Sequence, residues 1–312
     1  MSSTEQCMHE HPTPARKPEW LKVRAPSGEH YRSLKHLLRG MTLHTVCEEA
    51  HCPNVGECWG GGTATVMLMG DVCTRGCRFC AVHSGNPRGA LDADEPENTA
   101  VALERLELRY VVLTSVDRDD LPDGGADHFA RTIEAIKRRT PHMLVEVLVS
   151  DFGGSRQALA RIVEAQPDVV AHNLETVERL TPSVRDRRAT YRQSLDVLAT
   201  IKDIRADLYT KSSLMVGLGE TSDEMGQAMD DLRTVGVDVL TLGQYLRPSA
   251  KHLEVAEYVT PHQFETYRRM GENRGFMYVA SGPLVRSSYR AGEFFLEGVL
   301  RSPRPQRERN DR

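Results

Sequence analysis

The stretch "ATVMLMGDVCTRGCRFCAV", residues 64–82, joins the two signals that decide the fold. Ala64 to Met69 form a short apolar run with the length of a buried strand. A glycine and an aspartate end the run, and Cys73, Cys77 and Cys80 follow at the spacing C-x3-C-x2-C. The three cysteines are therefore predicted at the C-terminal end of a strand, where parallel α/β folds place their chemistry.

The same alternation continues downstream. "YVVLTS" from Tyr110, "MLVEVLV" from Met143, "DVVAH" from Asp168, "YTKSSLMVG" from Tyr209 and "VDVLTLG" from Val237 read as further strands. Apolar residues at helical spacing fill the intervals, as in Phe129, Ile133 and Ile136 or in Tyr191, Leu195, Leu198 and Ile201. Six β-α units imply an α/β fold with a parallel sheet, either open and doubly wound or curved into a full or partial barrel. The N-terminal residues are rich in Pro, Lys, Arg and His and lack apolar periodicity, which predicts an extended arm. The C-terminal "RSPRPQRERNDR" reads as a disordered tail.

The 312 residues are 39% hydrophobic and 27% charged, the balance of an ordinary globular enzyme. A net charge of −4 makes no general case for nucleic acid or a membrane surface. No apolar run is long enough to span a bilayer and the N-terminus lacks a secretory pattern, so the expected compartment is a reducing cytoplasm. Clustered cysteines there point to metal ligation or thiol chemistry rather than to disulfides.

Three thiolates from one short loop can bind three irons of a cubane cluster and leave the fourth without a protein ligand. A structural metal loop is the competing reading, although closed zinc sites favour C-x2-C pairs and four ligands. A second triplet, Cys47, Cys52 and Cys58 in "CEEAHCPNVGECW", precedes the first strand at the spacing C-x4-C-x5-C. Taken alone it fits either a second cluster or a zinc knot completed by His51 or His44.

With Phe79 before its third cysteine, the C-x3-C-x2-C loop resembles the radical S-adenosylmethionine superfamily. The two triplets in this order are similar to those of the lipoyl synthase family. That likeness extends through "DRDDLPDGGADHF", "AHNLETV", "TKSSLMVGLGET", "LTLGQYLRPS" and "GPLVRSSYRAGE". One departure is Ser150 in "VSDFGG", where the family usually has proline. The resemblance implies a partial (β/α)6 barrel over residues 63–275. An arm, 1–62, would carry the auxiliary-cluster motif, and an extension, 276–312, the R-S-S-Y motif and a basic tail; both would close over the barrel mouth. It further implies two 4Fe-4S clusters. Cys73, Cys77 and Cys80 would hold the one that reductively cleaves S-adenosylmethionine to a 5'-deoxyadenosyl radical. Cys47, Cys52 and Cys58 would hold an auxiliary cluster, with Ser287 as fourth ligand in preference to Ser288. In that family the auxiliary cluster is sacrificed to place two sulfurs at carbons 6 and 8 of a protein-bound octanoyl chain. Two S-adenosylmethionine molecules are consumed per lipoyl group.

The implied partners are octanoylated lipoyl domains of 2-oxoacid dehydrogenase acyltransferase subunits and the glycine cleavage H protein. A reductant such as flavodoxin or ferredoxin and an iron-sulfur carrier protein complete the set, with the enzyme itself a monomer. Biotin synthase-like sulfur insertion and tRNA methylthiolation are the competing activities, and the latter calls for a basic RNA-binding module that is not visible. A non-enzymatic iron-sulfur or zinc scaffold would have no use for a cofactor-binding barrel mouth.

Phe79, Asn173, Glu175, Arg188, Gly217 and Gly219 are the expected cofactor-binding residues, the glycines because they permit close backbone approach. Without the family, Asn173 and Glu175 read equally well as a turn and a helix start, and Gly217 and Gly219 as a ligand-free turn. Arg185 and Arg188 can meet a carboxylate or remain surface charges. The acidic stretch Asp117 to Gly125 is expected to shape the substrate pocket and cap a helix beginning near Ala126. Met225 and Met229 read as core packing and Cys7 as an inert thiol. The basic residues Lys17, Lys22, Arg304 and Arg307 are either solvated termini or a means of steering an acidic carrier.

Overall fold

A computed structural model describes residues 17–22, 44 and 45, 54, 63–106, 108–288 and 298. Cys7, His51, Cys47, Cys52, Cys58, Arg304 and Arg307 lie outside the described residues. One sheet of eight strands runs in the order β1 (His44–Thr45), β2 (Thr63–Leu68), β5 (Tyr110–Ser115), β6 (Leu144–Leu148), β7 (Val169–Ala171), β8 (Tyr209–Val216), β9 (Val239–Gln244) and β10 (Tyr278–Gly282). Strand β1 pairs antiparallel with β2, and every other pairing in this sheet is parallel. Two short strands, β3 (Val72–Cys73) and β4 (His83–Ser84), pair parallel to each other and close the cysteine loop.

Each of the six predicted strands is present within a residue or two of its expected bounds. The seventh parallel strand, β10, was not foreseen. Only a few strand-forming residues precede Gly282 and Pro283, so its own sequence carries little signal. Pairing with β9 from Tyr278↔Val239 to Gly282↔Gly243 supplies what local propensity does not.

Side chains alternate between two environments. Val111, Leu113, Val145, Val147 and Val170 face the helices that cover the outside of the sheet. Tyr110, Val112, Val169 and Val239 pack on the other face with Leu144, Tyr209 and Tyr278, a group drawn from β5 through β10. Among these inner residues Lys211 Nζ on β8 reaches Glu146 Oε1 on β6, 2.7 Å away across the intervening strand, and the Tyr110 hydroxyl donates to Glu146 Oε2 at 2.6 Å. The concave face is thus the interior of a partial barrel, floored by a buried charge pair.

The helices are α1 (Glu95–Arg105), α2 (Ala126–Arg139), α3 (Arg156–Glu164), α4 (Thr181–Val184), α5 (Tyr191–Ile204), α6 (Ser222–Thr234) and α7 (Pro261–Asn273). Their starts are set locally. Thr221 and Glu224 form a reciprocal capping box on α6, while Ser155, Thr190 and Thr260 cap α3, α5 and α7 through their hydroxyls. Asp123 accepts from the amides of Gly125 and Asp127, so the acidic stretch does cap the helix that begins at Ala126. Phe129, Ile133, Ile136, Met225 and Met229 are all fully buried, as their spacing implied. No helix among the described residues is long and apolar enough to cross a membrane.

Candidate active site

The loop after β2 is held in place from several directions. Thr74 N and its hydroxyl both donate to the carbonyl of Asp117, at 3.0 and 2.9 Å, just past the end of β5. Gly85 N donates to Cys73 O at 2.8 Å, and Arg78 N to Val184 O at 2.9 Å. Between the first two cysteines lies Arg75, buried, whose guanidinium gathers three aspartates from two strand ends. It makes two hydrogen bonds of 2.6 Å to Asp151 beyond β6 and bonds of 2.9 and 3.1 Å to Asp119 beyond β5. Asp117 is 3.4 Å away. Burial works against ionisation of Asp151 and Asp119, but the Arg75 hydrogen bonds prevail and hold both carboxyls below their ordinary range. Asp117, which has no such direct bond, is pushed up to about 6, mainly by burial.

Cys73, Cys77 and Cys80 line one cavity of about 270 Å3. Burial pushes the thiol of Cys73 up to about 11 and that of Cys80 to about 12, and Cys77 moves in the same direction. Main-chain amides oppose the shift at each sulfur: Arg75 N at 3.5 Å from Cys73 Sγ, Asp186 N at 3.3 Å from Cys77 Sγ, and Val82 N on Cys80. Buried sulfurs supplied with N–H donors are suited to carry thiolate charge once cations replace their protons. Among the described residues no three His, Cys, Asp or Glu side chains converge on a point where one metal ion would sit. Three thiols around a shared cavity, each with an amide donor, fit the wider footprint of a cubane cluster.

The rest of the cavity wall comes from the strand ends: Met67, Thr114, Asp117, Leu148, Asp151, His172, Asn173, Glu175 and Arg185. His172 is buried and neutral, its pKa pushed down to about 4 by burial, with Nδ1 on Val149 O and Nε2 on Ser194 Oγ. Arg185 donates to the same Ser194 hydroxyl at 2.7 Å, while its buried Nε has no protein partner. A second cavity, of about 500 Å3, lies against the first and shares Phe79, Cys80, Asn173, Glu175 and Ser287 with it. Lys17, Met215, Gly243, Tyr245 and Arg247 are among its other walls.

Two models of known families match this chain: the radical S-adenosylmethionine superfamily over residues 67–232, and the N-terminal domain of lipoyl synthase over residues 3–52. The lipoyl synthase of Myxococcus xanthus is 60% identical over 292 residues, covering 94% of this chain and 98% of that protein. The chain belongs to the lipoyl synthase family. The Thermus thermophilus lipoyl synthase is 59% identical over 93% of this chain and 90% of its own length. The mitochondrial lipoyl synthase of Aedes aegypti is 56% identical over 94% and 76%. In fold, methylornithine synthase is similar with a TM-score of 0.54 at 12% identity, over 83% of this chain and 84% of that one. Streptococcus suis SuiB bound to its precursor peptide gives 0.56 at 9% identity, over 80% and 52%.

Set against the expectations for a lipoyl synthase, the structure brings Phe79, Asn173, Glu175 and Ser287 to both cavities and leaves Ser288 out of both walls. Glu175 takes a positive φ of 71°, unusual for a residue with a side chain. Its main chain bridges to β8 beside Leu214, and Asn173 Nδ2 donates to its carboxylate at 3.0 Å. Arg188 lines neither cavity and is bonded to Asp186, Asp119 and the carbonyl of Thr74, where it braces the cysteine loop. Gly217 and Gly219 line neither cavity. Gly217 has φ 92°, and a Cβ there would overlap Gln244 and the carbonyl of Glu257, so its lack of a side chain serves the protein's own packing.

Sequence reading missed the Arg75 hub, the His172–Ser194–Arg185 chain and Asp186, because each depends on residues far apart in sequence. It also missed Gly243, on whose Cα face the carbonyl of Val285 rests; a Cβ would overlap it. Val285 is two residues from Ser287. Gly243→Ala is therefore expected to lower stability by about 1–3 kcal/mol through overpacking and to move Ser287 from the cavity wall. Denaturant melting together with a turnover assay checks this, and a fully active, equally stable variant would refute the close packing.

Proposed function

We propose that this chain inserts two sulfur atoms into a protein-bound octanoyl group, at carbons 6 and 8, to complete a lipoyl group. The carrying observation is the hydrogen bond, 2.7 Å, from Asn54 Nδ2 to the carbonyl of Leu284. Asn54 lies between Cys52 and Cys58, and Leu284 lies three residues before Ser287. The bond supports a site in which Cys47, Cys52, Cys58 and Ser287 hold an auxiliary 4Fe-4S cluster beside the first cavity. When bound, the cluster on Cys73, Cys77 and Cys80 supplies the electron that cleaves S-adenosylmethionine for hydrogen abstraction, and the auxiliary cluster supplies sulfur.

The chain's own residues have distinct parts. Asn173, Glu175 and the unpartnered Nε of Arg185 offer polar groups for the amino-acid and ribose portions of the cofactor. Phe79, beside the third cysteine, lines both cavities. Met67, Val82, Leu148 and Val149 give part of the first cavity an apolar wall suited to an alkyl chain. Ser287 faces both cavities, as a ligand to a cluster that must meet the substrate would have to. Carbons 6 and 8 of an octanoyl chain carry no activating group, so a radical route is needed. Two S-adenosylmethionine molecules per product, a lipoyl-domain substrate, a one-electron reductant and rebuilding of the cluster by an iron-sulfur carrier follow from this reading. So does action as a monomer in a reducing compartment.

Anaerobic turnover of the reconstituted protein with an octanoylated carrier peptide, S-adenosylmethionine and reductant, followed by mass spectrometry, tests it. A dithiolated product is expected. Two intact clusters with no sulfur in the product would overturn the proposal.

A further inference from the structure

The connection from β9 to α7, residues 245–260, forms a strap over the cysteine loop, and its base is firmly set. Gln244 donates to the carbonyls of Val216, Tyr245 and Glu257 and accepts from Val259 N. Arg247 donates to the carbonyls of Ser249, Ala250 and His252, and the Tyr245 hydroxyl to that of Leu253. The strap meets the loop at two carbonyls on either side of Phe79. Leu253 N donates to Arg78 O at 3.2 Å, and His252 Nε2 lies 2.9 Å from Cys80 O.

A carbonyl oxygen can only accept, so His252 Nε2 donates to Cys80 O, and Nδ1 lies 2.8 Å from the Ser249 hydroxyl oxygen. Ser249 is fixed in turn, because its Oγ accepts from Lys251 N and its carbonyl accepts from His252 N. The imidazole is thus held at both ring nitrogens in one orientation, aimed at a single main-chain oxygen. The peptide that carries this oxygen joins Cys80 to Ala81, directly beside the sulfur that lines both cavities. Turning that peptide would break the His252 bond and move Cys80 with it.

We propose that His252 is a positioning residue for the cysteine loop: together with Leu253 N on Arg78 O, it fixes the main chain on either side of Phe79 and so the placement of the Cys80 sulfur at the cavity. The inference rests on the reading of Cys73, Cys77 and Cys80 as cluster ligands. Hydrogen bonds to ligating sulfurs stabilise the added negative charge of a reduced cluster and set its potential. His252 touches neither the cavities nor the reacting atoms, and acts only through Cys80. The strap also carries Tyr245, Leu246, Arg247 and Pro248 in the wall of the second cavity, so one segment shapes that cavity and holds the loop beside it.

The test compares His252→Ala, which removes the donor, with His252→Gln, whose amide N–H reaches the same oxygen. In the reconstituted protein, the potential of the Cys73–Cys77–Cys80 cluster is read by anaerobic redox titration with paramagnetic resonance. H252A is expected to shift it to a more negative value and to slow turnover about ten-fold, the scale of one lost buried hydrogen bond; H252Q is expected to restore both. An unshifted potential in H252A, or a glutamine variant no better than alanine, would overturn the proposal. If H252A takes up no iron, amide hydrogen exchange of the full-length apo protein decides. Faster exchange confined to residues 79–82 supports the clamp, and wild-type exchange there rejects it. Absence of any cluster in the wild-type protein is a separate outcome that would defeat the underlying ligand reading instead.

Discussion

Replacing Arg75 with Met is expected to abolish turnover and to remove about 3–5 kcal/mol of stability, the scale for stranding one member of a buried ion pair. Asp151 decides the magnitude: its side chain is 1% exposed and that of Arg75 3%, so no water takes over the two lost hydrogen bonds. Lysine should rescue poorly, because one ammonium cannot form paired bonds with Asp151 and Asp119 at once. The loss also has a pH signature. Arg75 holds the Asp151 and Asp119 carboxyls below their ordinary range in the folded state. Their stabilising contribution is thus fully present above the unfolded carboxylate value and is lost as pH falls through the lower, folded values. The stability gap between wild type and R75M should be widest near neutrality and narrow in acid. Urea denaturation of the apo proteins at several pH values measures it. A gap that is absent at pH 7, or that widens in acid, would show that the hub does not hold the loop.

The hub also shows where sequence reading stops. The position of the cysteine loop was legible because a strand announces itself through consecutive apolar residues, and the loop simply follows it. The six strands and the buried faces of α2 and α5 were legible for the same reason, since period and burial are local. Arg75 stands inside the quoted cysteine motif and Asp151 inside "VSDFGG", yet nothing in either stretch says that they meet across 76 positions of chain. Strand β10 was missed because its pairing with β9, rather than its composition, makes it a strand. Arg188 is ambiguous in sequence for a related reason. A basic residue near a cofactor site has the same sequence appearance whether it faces the ligand or braces the loop. Only the contacts with Asp186, Asp119 and Thr74 separate the two.

Gly217 teaches the opposite lesson. Glycine was read as room for a ligand's backbone approach, and the room exists, but Gln244 and the carbonyl of Glu257 fill it from within the chain. Glu220 completes that turn by accepting from the amides of Gly217 and Leu218. The result is a rigid base for the strap that carries His252, so the motif serves the cysteine loop at one remove.

Replacing Ser287 with Ala is expected to separate two activities that share one site. Release of 5'-deoxyadenosine, which on the proposed reading reports only on the Cys73–Cys77–Cys80 side, should survive near the wild-type rate, while sulfur insertion falls roughly ten- to a hundred-fold or more, as expected when a ligand sphere loses a member. The geometry makes the split testable. Ser287 borders both cavities, and its approach is fixed by Val285 N on Gly282 O, by the Val285 carbonyl on Gly243, and by Arg286 on the Gln244 carbonyl. Alanine keeps all three anchors and removes only the hydroxyl, so failure to fold is not the expected cause of any loss. Cysteine at the same position offers the ligand that iron-sulfur clusters ordinarily prefer in place of a hard oxygen donor. On the proposed reading it should retain the proposed auxiliary cluster, raise its resistance to chelation and still depress sulfur insertion, because a cluster bound more firmly is harder to dismantle. Iron content, chelator resistance, deoxyadenosine and dithiolated product, measured on the same preparations, distinguish these outcomes. Equal loss of deoxyadenosine and product in S287A would place the serine in the radical step, and full sulfur insertion in S287C would show that release of sulfur does not depend on a weak fourth bond.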